Sequence, residues 1–220
     1  MEHQVQSALG AGPARETLEG VATVGATGSA GLQEAPQGVR ICIGQAHGPE
    51  YARRGARLRS GIMDRPLIDR YAAGGAEPAG AIRGLSAADL DAIPVPGTWS
   101  IRQIVVHLLD SDLAATHRMK RIAAEELPLL IAYDETALAG QGFYAALDVN
   151  RCCELFALHR AHTAEFLRAL PDAAFERRGV HNQSGIVTLG GLVETYVWHL
   201  EHHLGFLRRK RAMLGKELGA

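Results

Sequence analysis

The stretch 188–207 constrains the fold more than any other part of the chain. Leu192, Val193, Tyr196, Val197, Leu200, Leu204 and Leu207 recur at helical spacing, which is the pattern of a helix with one buried side. Thr188 stands where such a helix needs an N-cap. The same stretch contains Tyr196-Val197-Trp198-His199-Leu200-Glu201-His202-His203, so three of the ten histidines fall within five residues. At about 100° per residue, His199 and His203 lie within about 40° of each other on one helix face, a spacing that lets two imidazoles reach one metal ion. His202 falls about 60° to the other side of His199, and Glu201 points roughly opposite, toward solvent. Alone, the pair reads equally well as the polar rim of a core; a third ligand elsewhere in the chain would decide it.

Three further helices follow from the same periodicity. A first is expected from residue 64 to 85 through Leu67, Ile68, Tyr71, Ile82 and Leu85, with a break near Gly74-Gly75 and Pro78. Ser86-Ala87-Ala88-Asp89 opens one short turn, and Ile93-Pro94-Val95-Pro96-Gly97 enforces an extended connection. Ser100 followed by Gln103 is a capping box that starts a second long helix. Its apolar stripe is Ile101, Ile104, Val105, Leu108, Leu109 and Leu113, and it runs to residues 124–126 before Pro128. The stretch 128–147 is a connection with some local order. A third long helix begins after Asp148, carries Val149, Cys152, Leu155, Phe156, Phe166, Leu167 and Leu170, and ends at Pro171. His159 and His162 on it are taken as surface residues. Residues 175–187 are expected as a loop with a short extended pair near Ser184-Gly185. The basic run Arg208-Arg209-Lys210-Arg211 suits the C-terminal end of the last helix, where cations complement the dipole. Four long helices make an all-α, antiparallel four-helix bundle the economical architecture.

Residues 1–62 differ from the rest. They hold 11 of the 25 glycines, a single aromatic residue (Tyr51) and no sustained periodicity, too little apolar surface to offset the entropy of ordering. A disordered or non-native extension is expected there, with Met63 as a candidate initiator and the basic Arg53–Arg59 patch as a solvated linker. The domain is therefore placed at 63–220.

Bulk composition removes several function classes. A net charge of −1 gives no electrostatic case for nucleic acid or an anionic membrane. Nothing in the sequence approaches a membrane-spanning apolar run. Three cysteines, two of them the neighbours Cys152-Cys153, do not build a disulfide framework, which points to a cytoplasmic setting.

The third ligand candidate is His107, which sits beside the apolar stripe of the second long helix. By itself such a histidine reads as a hydrogen-bonded core residue. In a bundle it can face His199 and His203. Three neutral imidazoles suit zinc, nickel or ferrous iron and leave coordination positions open, as a catalytic site requires. Asp110 and His202 are candidates to orient the ligands.

These residues resemble a known family. Pro96-Gly97-x-Trp99-Ser100-x-Arg102-Gln103-x-x-x-His107-Leu108-x-Asp110-Ser111-Asp112, then Tyr133-Asp134-Glu135, then Trp198-His199-x-x-His202-His203 are similar to the DinB-like superfamily. The Tyr-Asp-Glu loop is most similar to its bacillithiol-transferase branch, also labelled metal-dependent hydrolases. The resemblance covers residues 63 to 214. It implies one divalent ion, Zn2+ or Ni2+, on His107, His199 and His203, in a homodimer. It further implies transfer of a low-molecular-weight thiol to an electrophile, because a divalent metal makes a thiol with a pKa near ~8.5 reactive at neutral pH. Hydrolysis by activated water is the alternative, with Tyr133, Asp134 and Glu135 as acid/base candidates; a non-catalytic metal-binding bundle is the third reading. Family members commonly carry Trp after the Tyr-Asp-Glu loop, where this chain has Ala137-Leu138.

Overall fold

Residues 65–218 are described by the computed structural model; the expectations for residues 1–62, including the basic patch and the alternative start, lie outside them. The first bundle helix is broken, as its glycines and proline predict. It comprises α1 (Arg65–Ala73), a 3-10 turn (Gly74–Ala76) and α2 (Glu77–Ala81), with Pro78 in the first turn of α2. Pro costs nothing there because its missing N–H has no helical partner to lose. The single turn α3 (Ala87–Asp91) starts at a Ser86/Asp89 capping box.

The second bundle helix, α4 (Ile101–Ala124), opens on the expected box: Ser100 Oγ accepts from the Gln103 N–H at 3.2 Å, and Gln103 Oε1 accepts from the Ser100 N–H at 2.8 Å. Its stripe is buried except at Leu113, which is 48% exposed. The inward position of that turn belongs to Asp112 instead.

The connection that follows holds β1 (Leu129–Leu130), α5 (Glu135–Ala139) and α6 (Phe143–Ala146). Then comes α7 (Val149–Ala169), capped by Asp148, which accepts from the Asn150 and Arg151 N–H groups. The stretch read as a loop is more ordered than expected. Beyond a 3-10 turn (Asp172–Glu176), β2 (Arg178–His181) and β3 (Gly185–Thr188) form an antiparallel hairpin, and β1 pairs in parallel with β2. The turn is closed by the buried His181, whose Nδ1 accepts from the Gln183 and Ser184 N–H groups at 3.3 Å each, with Gly185 at φ 74° taking the left-handed corner. The last bundle helix is α8 (Leu189–Met213), capped by Thr188.

An all-α four-helix bundle is thus present, two helices running up and two down, but its neighbours are not uniformly antiparallel. Both α1 and α4 pack on α7 and α8, which leaves α1/α4 and α7/α8 as the diagonal pairs. Contacts between Arg102 and Leu147, Asp112 and Arg160, and Thr116 and Thr163 show α4 and α7 running in the same direction. A parallel neighbour requires a connection as long as the helix, about 36 Å for 24 residues. Residues 125–148 provide it, and the β1–α5–α6 order inside them is the consequence.

The core is stratified. One apolar cluster gathers Ile101, Leu108, Phe156 and Leu204; the other gathers Tyr71, Met119, Leu167 and Tyr196. Between them lies a polar layer: His107, Ser111, Asp112, Arg160, His199 and His203, all buried. Arg160 and Asp112 form a bidentate pair there, at 2.7 and 3.0 Å. The guanidinium also donates to the carbonyls of Tyr71 and Tyr196, and the Tyr71 hydroxyl donates to Asp112. The pair therefore pins all four bundle helices at one level. His159, expected at the surface, is half-buried against it: its Nε2 lies 2.8 Å from Thr116 Oγ1 and 3.1 Å from the Asp112 carbonyl.

Candidate metal centre

The polar layer brings the three expected histidines together. His107 comes from the second turn of α4, and His199 and His203 from successive turns of the antiparallel α8. One nitrogen from each lies within 4.8 Å of the others, and no other such trio of His, Cys, Asp or Glu occurs among the described residues. The Nε2 atoms of His107 and His199 are 3.2 Å apart. Ligands held at about 2 Å from one ion stand roughly 3–4 Å apart, so a small closing movement suffices.

The donor set passes a second test of fit. His203 is 6% exposed, and neither of its ring nitrogens has a hydrogen-bond partner among the described residues. Burial, then the nearby His107 and His202, holds its pKa well below the usual histidine value, so it is a neutral imidazole with a lone pair available. Buried polar atoms are normally satisfied, and an ion held by the trio would satisfy one of these nitrogens.

Around the trio, the structure divides the remaining candidates. Glu135, on the first turn of α5, is buried and places Oε2 3.9 Å from His107 Nε2. Tyr133 is half-buried two residues before it, with its ring under the Arg118 guanidinium at 5.9 Å; burial, then Glu135, raises its pKa. Asp134 is exposed and caps α5, accepting from the Ala137 N–H at 2.8 Å, so this side chain is not gathered into the site. Asp110 is half-buried and accepts from the Tyr144 hydroxyl at 2.5 Å. His202 stacks on Trp198 and meets Phe206 edge-on, outside the trio.

Trp99 closes the other side of the trio. Its ring lies parallel to His203 at 6.3 Å and tilted against His107 at 4.9 Å. The loop that carries it is tied down through Thr98, which donates to the Val95 carbonyl and accepts from Lys210 Nζ, both at 2.7 Å. The basic run of α8 therefore does more than face solvent: Lys210 and Arg211 are buried, and Arg211 donates to the carbonyls of Ala81 and Arg83.

Arg118, Tyr144 and the Arg160–Asp112 pair escaped the sequence reading. The available signal was register. Asp112 falls in line with Leu108, Ala115 and Met119, and Arg160 with Phe156, Ala164 and Leu167, so opposite charges occupy core positions on two helices.

A buried tri-histidine cluster between two antiparallel helices of a four-helix bundle defines a class of metal-site proteins. The DinB superfamily model matches residues 73–207 of this chain, and the chain belongs to that superfamily. A Bacillus licheniformis protein provisionally named a metal-dependent hydrolase is 31% identical over 120 residues, 54% of this chain and 68% of that one. YfiT from Bacillus subtilis, which has a similar provisional name, is 32% identical over 137 residues, 61% of this chain and 76% of its own. The solved YfiT structure superimposes with a TM-score of 0.68 at 27% identity, covering 72% of this chain and 93% of that one. It is described as a probable metal-dependent hydrolase with an unusual four-helix bundle topology.

Proposed function

We propose that the chain is a divalent-metal enzyme that transfers a low-molecular-weight thiol to an electrophile, with His107, His199 and His203 holding the ion. The observation that carries the metal reading is His203, a buried neutral imidazole with no hydrogen-bond partner among the described residues. It brings one ring nitrogen within 4.8 Å of a nitrogen from each of the other two histidines. An ion bound there supplies Lewis acidity that lowers the pKa of a thiol or a water. The chain's own residues do the rest. Glu135, whose carboxylate stands next to His107 Nε2, takes the thiol proton. The sulfur–carbon bond forms as the electrophile's leaving group departs with its electron pair. Tyr133 lies beside Glu135, and in this reading it lines the approach of the substrate. Trp99 walls the trio off from water, which keeps the electrostatics strong.

Hydrolysis is the second reading, favoured by the provisional names of the relatives, and Glu135 would serve a water as well as a thiol. The test is turnover of a chloro-nitroarene and of a simple ester, with and without cysteine-based thiols, on metal-loaded and stripped protein. Thiol-dependent arene turnover lost on stripping supports transfer. Ester cleavage at full rate without thiol refutes transfer in favour of hydrolysis.

A further inference from the structure

Two buried arginines on neighbouring helices are treated very differently. Arg160 is matched by Asp112 through two charge-assisted bonds. Arg118, three turns beyond His107 on α4 and 4% exposed, has only neutral partners. It donates to the Tyr196 hydroxyl at 3.2 Å and to the Ile131 carbonyl at 2.7 Å, and its guanidinium lies over the Tyr133 ring. Among the described residues no carboxylate lies within 4.0 Å of it. The buried Glu135 carboxylate acts on the same Tyr133 but makes no direct pair with Arg118. A buried guanidinium with no ion pair in contact is costly, because its desolvation is only partly repaid.

This cation, which has no ion pair in contact, adjoins the tri-histidine site through Tyr196 and Tyr133. Tyr196, which it touches, precedes His199 by one turn, with ring centroids 5.6 Å apart. Tyr133, which it covers, precedes Glu135 by two residues. The buried Tyr133 hydroxyl makes no hydrogen bond among the described residues; the Ser111 hydroxyl near it does not meet it in bonding geometry. One wall of the site therefore offers a fixed positive charge and an unused O–H donor side by side. That pairing recognises a carboxylate: the guanidinium supplies charge and the phenol a directed bond.

We infer that Arg118 and Tyr133 hold a carboxylate of the substrate thiol, so that the thiol this site takes is an acid. The inference rests on the thiol-transfer reading of the same site. It places the sulfur at the histidine trio and the acid group at the Arg118–Tyr133 wall, with the length of the thiol as the spacer between them.

The test uses the full chain loaded with cobalt(II), titrated with mercaptoalkanoic acids of increasing length and with their amides, and followed by sulfur-to-cobalt charge-transfer absorption. The acid-to-amide affinity ratio is compared between proteins, so differences in thiol acidity cancel. With the best spacer, the wild-type protein should favour the acid by about ten- to a hundredfold, the range of one charged hydrogen bond. Arg118→Gln should bring the ratio near one, with cobalt content and amide affinity unchanged. Tyr133→Phe, which disturbs no bond in the fold, should lower it severalfold and keeps the test informative if the arginine variant does not fold. Wild-type protein that binds acids and amides alike, or a ratio unmoved by Tyr133→Phe, overturns the carboxylate inference alone. Absence of any charge-transfer band with every thiol overturns the thiol reading and this inference with it.

Discussion

Replacing Asp112 with Asn probes the polar layer at its most vulnerable point. Both partners of the Arg160–Asp112 pair are 1% exposed in their side chains, so neither charge has access to water. Asp112→Asn keeps the shape, removes the negative charge and leaves the guanidinium buried among Tyr71, Phe156 and two carbonyls. Breaking a buried pair from one side costs about 3–5 kcal/mol. For a domain of this size, that is a fall in melting temperature of roughly 6–20 °C. The triple variant Asp112→Leu, Arg160→Met, Tyr71→Phe removes both charges and the hydroxyl that would lose its acceptor. It should unfold within about 2 kcal/mol of the wild type, because apolar replacement of a whole buried pair is close to neutral. Urea unfolding monitored by circular dichroism measures both. A loss under ~1 kcal/mol for Asp112→Asn, or a triple variant less stable than the single one, refutes the view that the cost lies in an unpaired charge.

Other consequences follow from particular contacts. Ser100→Ala removes one bond of the α4 capping box and should cost about 1 kcal/mol in chemical unfolding while leaving the site's residues in place. Gly74→Ala would bring a Cβ to 2.6 Å from Leu200 Cδ2 and 2.8 Å from Arg160 Nη1; with Arg160 locked, a loss of about 1–3 kcal/mol is expected, and thermal unfolding would show it. Cys152 and Cys153 are buried in the apolar cluster, and burial pushes the Cys153 thiol up to about 12, so replacing both with Ala should leave turnover unchanged. A rate fall of tenfold or more would place a protein thiol in the reaction. Sedimentation velocity tests the homodimer implied by the family resemblance, for which a monomer at micromolar concentration is the contrary result.

The parts of this molecule visible in its sequence are those governed by short-range rules. The Ser100–Gln103 box, the Asp148 and Thr188 caps and the break at Gly74–Pro78 depend on neighbours a few residues away, and each stands where the spacing put it. The histidine trio was legible because two of its members share one helix face and the third marks a stripe. Long-range pairings were not legible. Register puts Arg160 in line with Phe156, Ala164 and Leu167, but nothing local says that its partner is Asp112, 48 residues away. The parallel arrangement of α4 and α7 depends on the route of the connection, and β1 finds its partner at Val180 and His181. Leu113 was misread because a helix drifts past a strict stripe, and the next inward position fell to Asp112.

Metal stoichiometry on the purified full chain tests the central claim most directly. Plasma mass spectrometry after dialysis against a single divalent metal should find close to one ion per chain in the wild type. His107→Ala, His199→Ala and His203→Ala should each lose it, and His202→Ala, whose ring stacks on Trp198 outside the trio, should keep it. An empty wild-type protein at saturating metal, or a His203→Ala variant that retains the ion while His202→Ala loses it, would contradict the account.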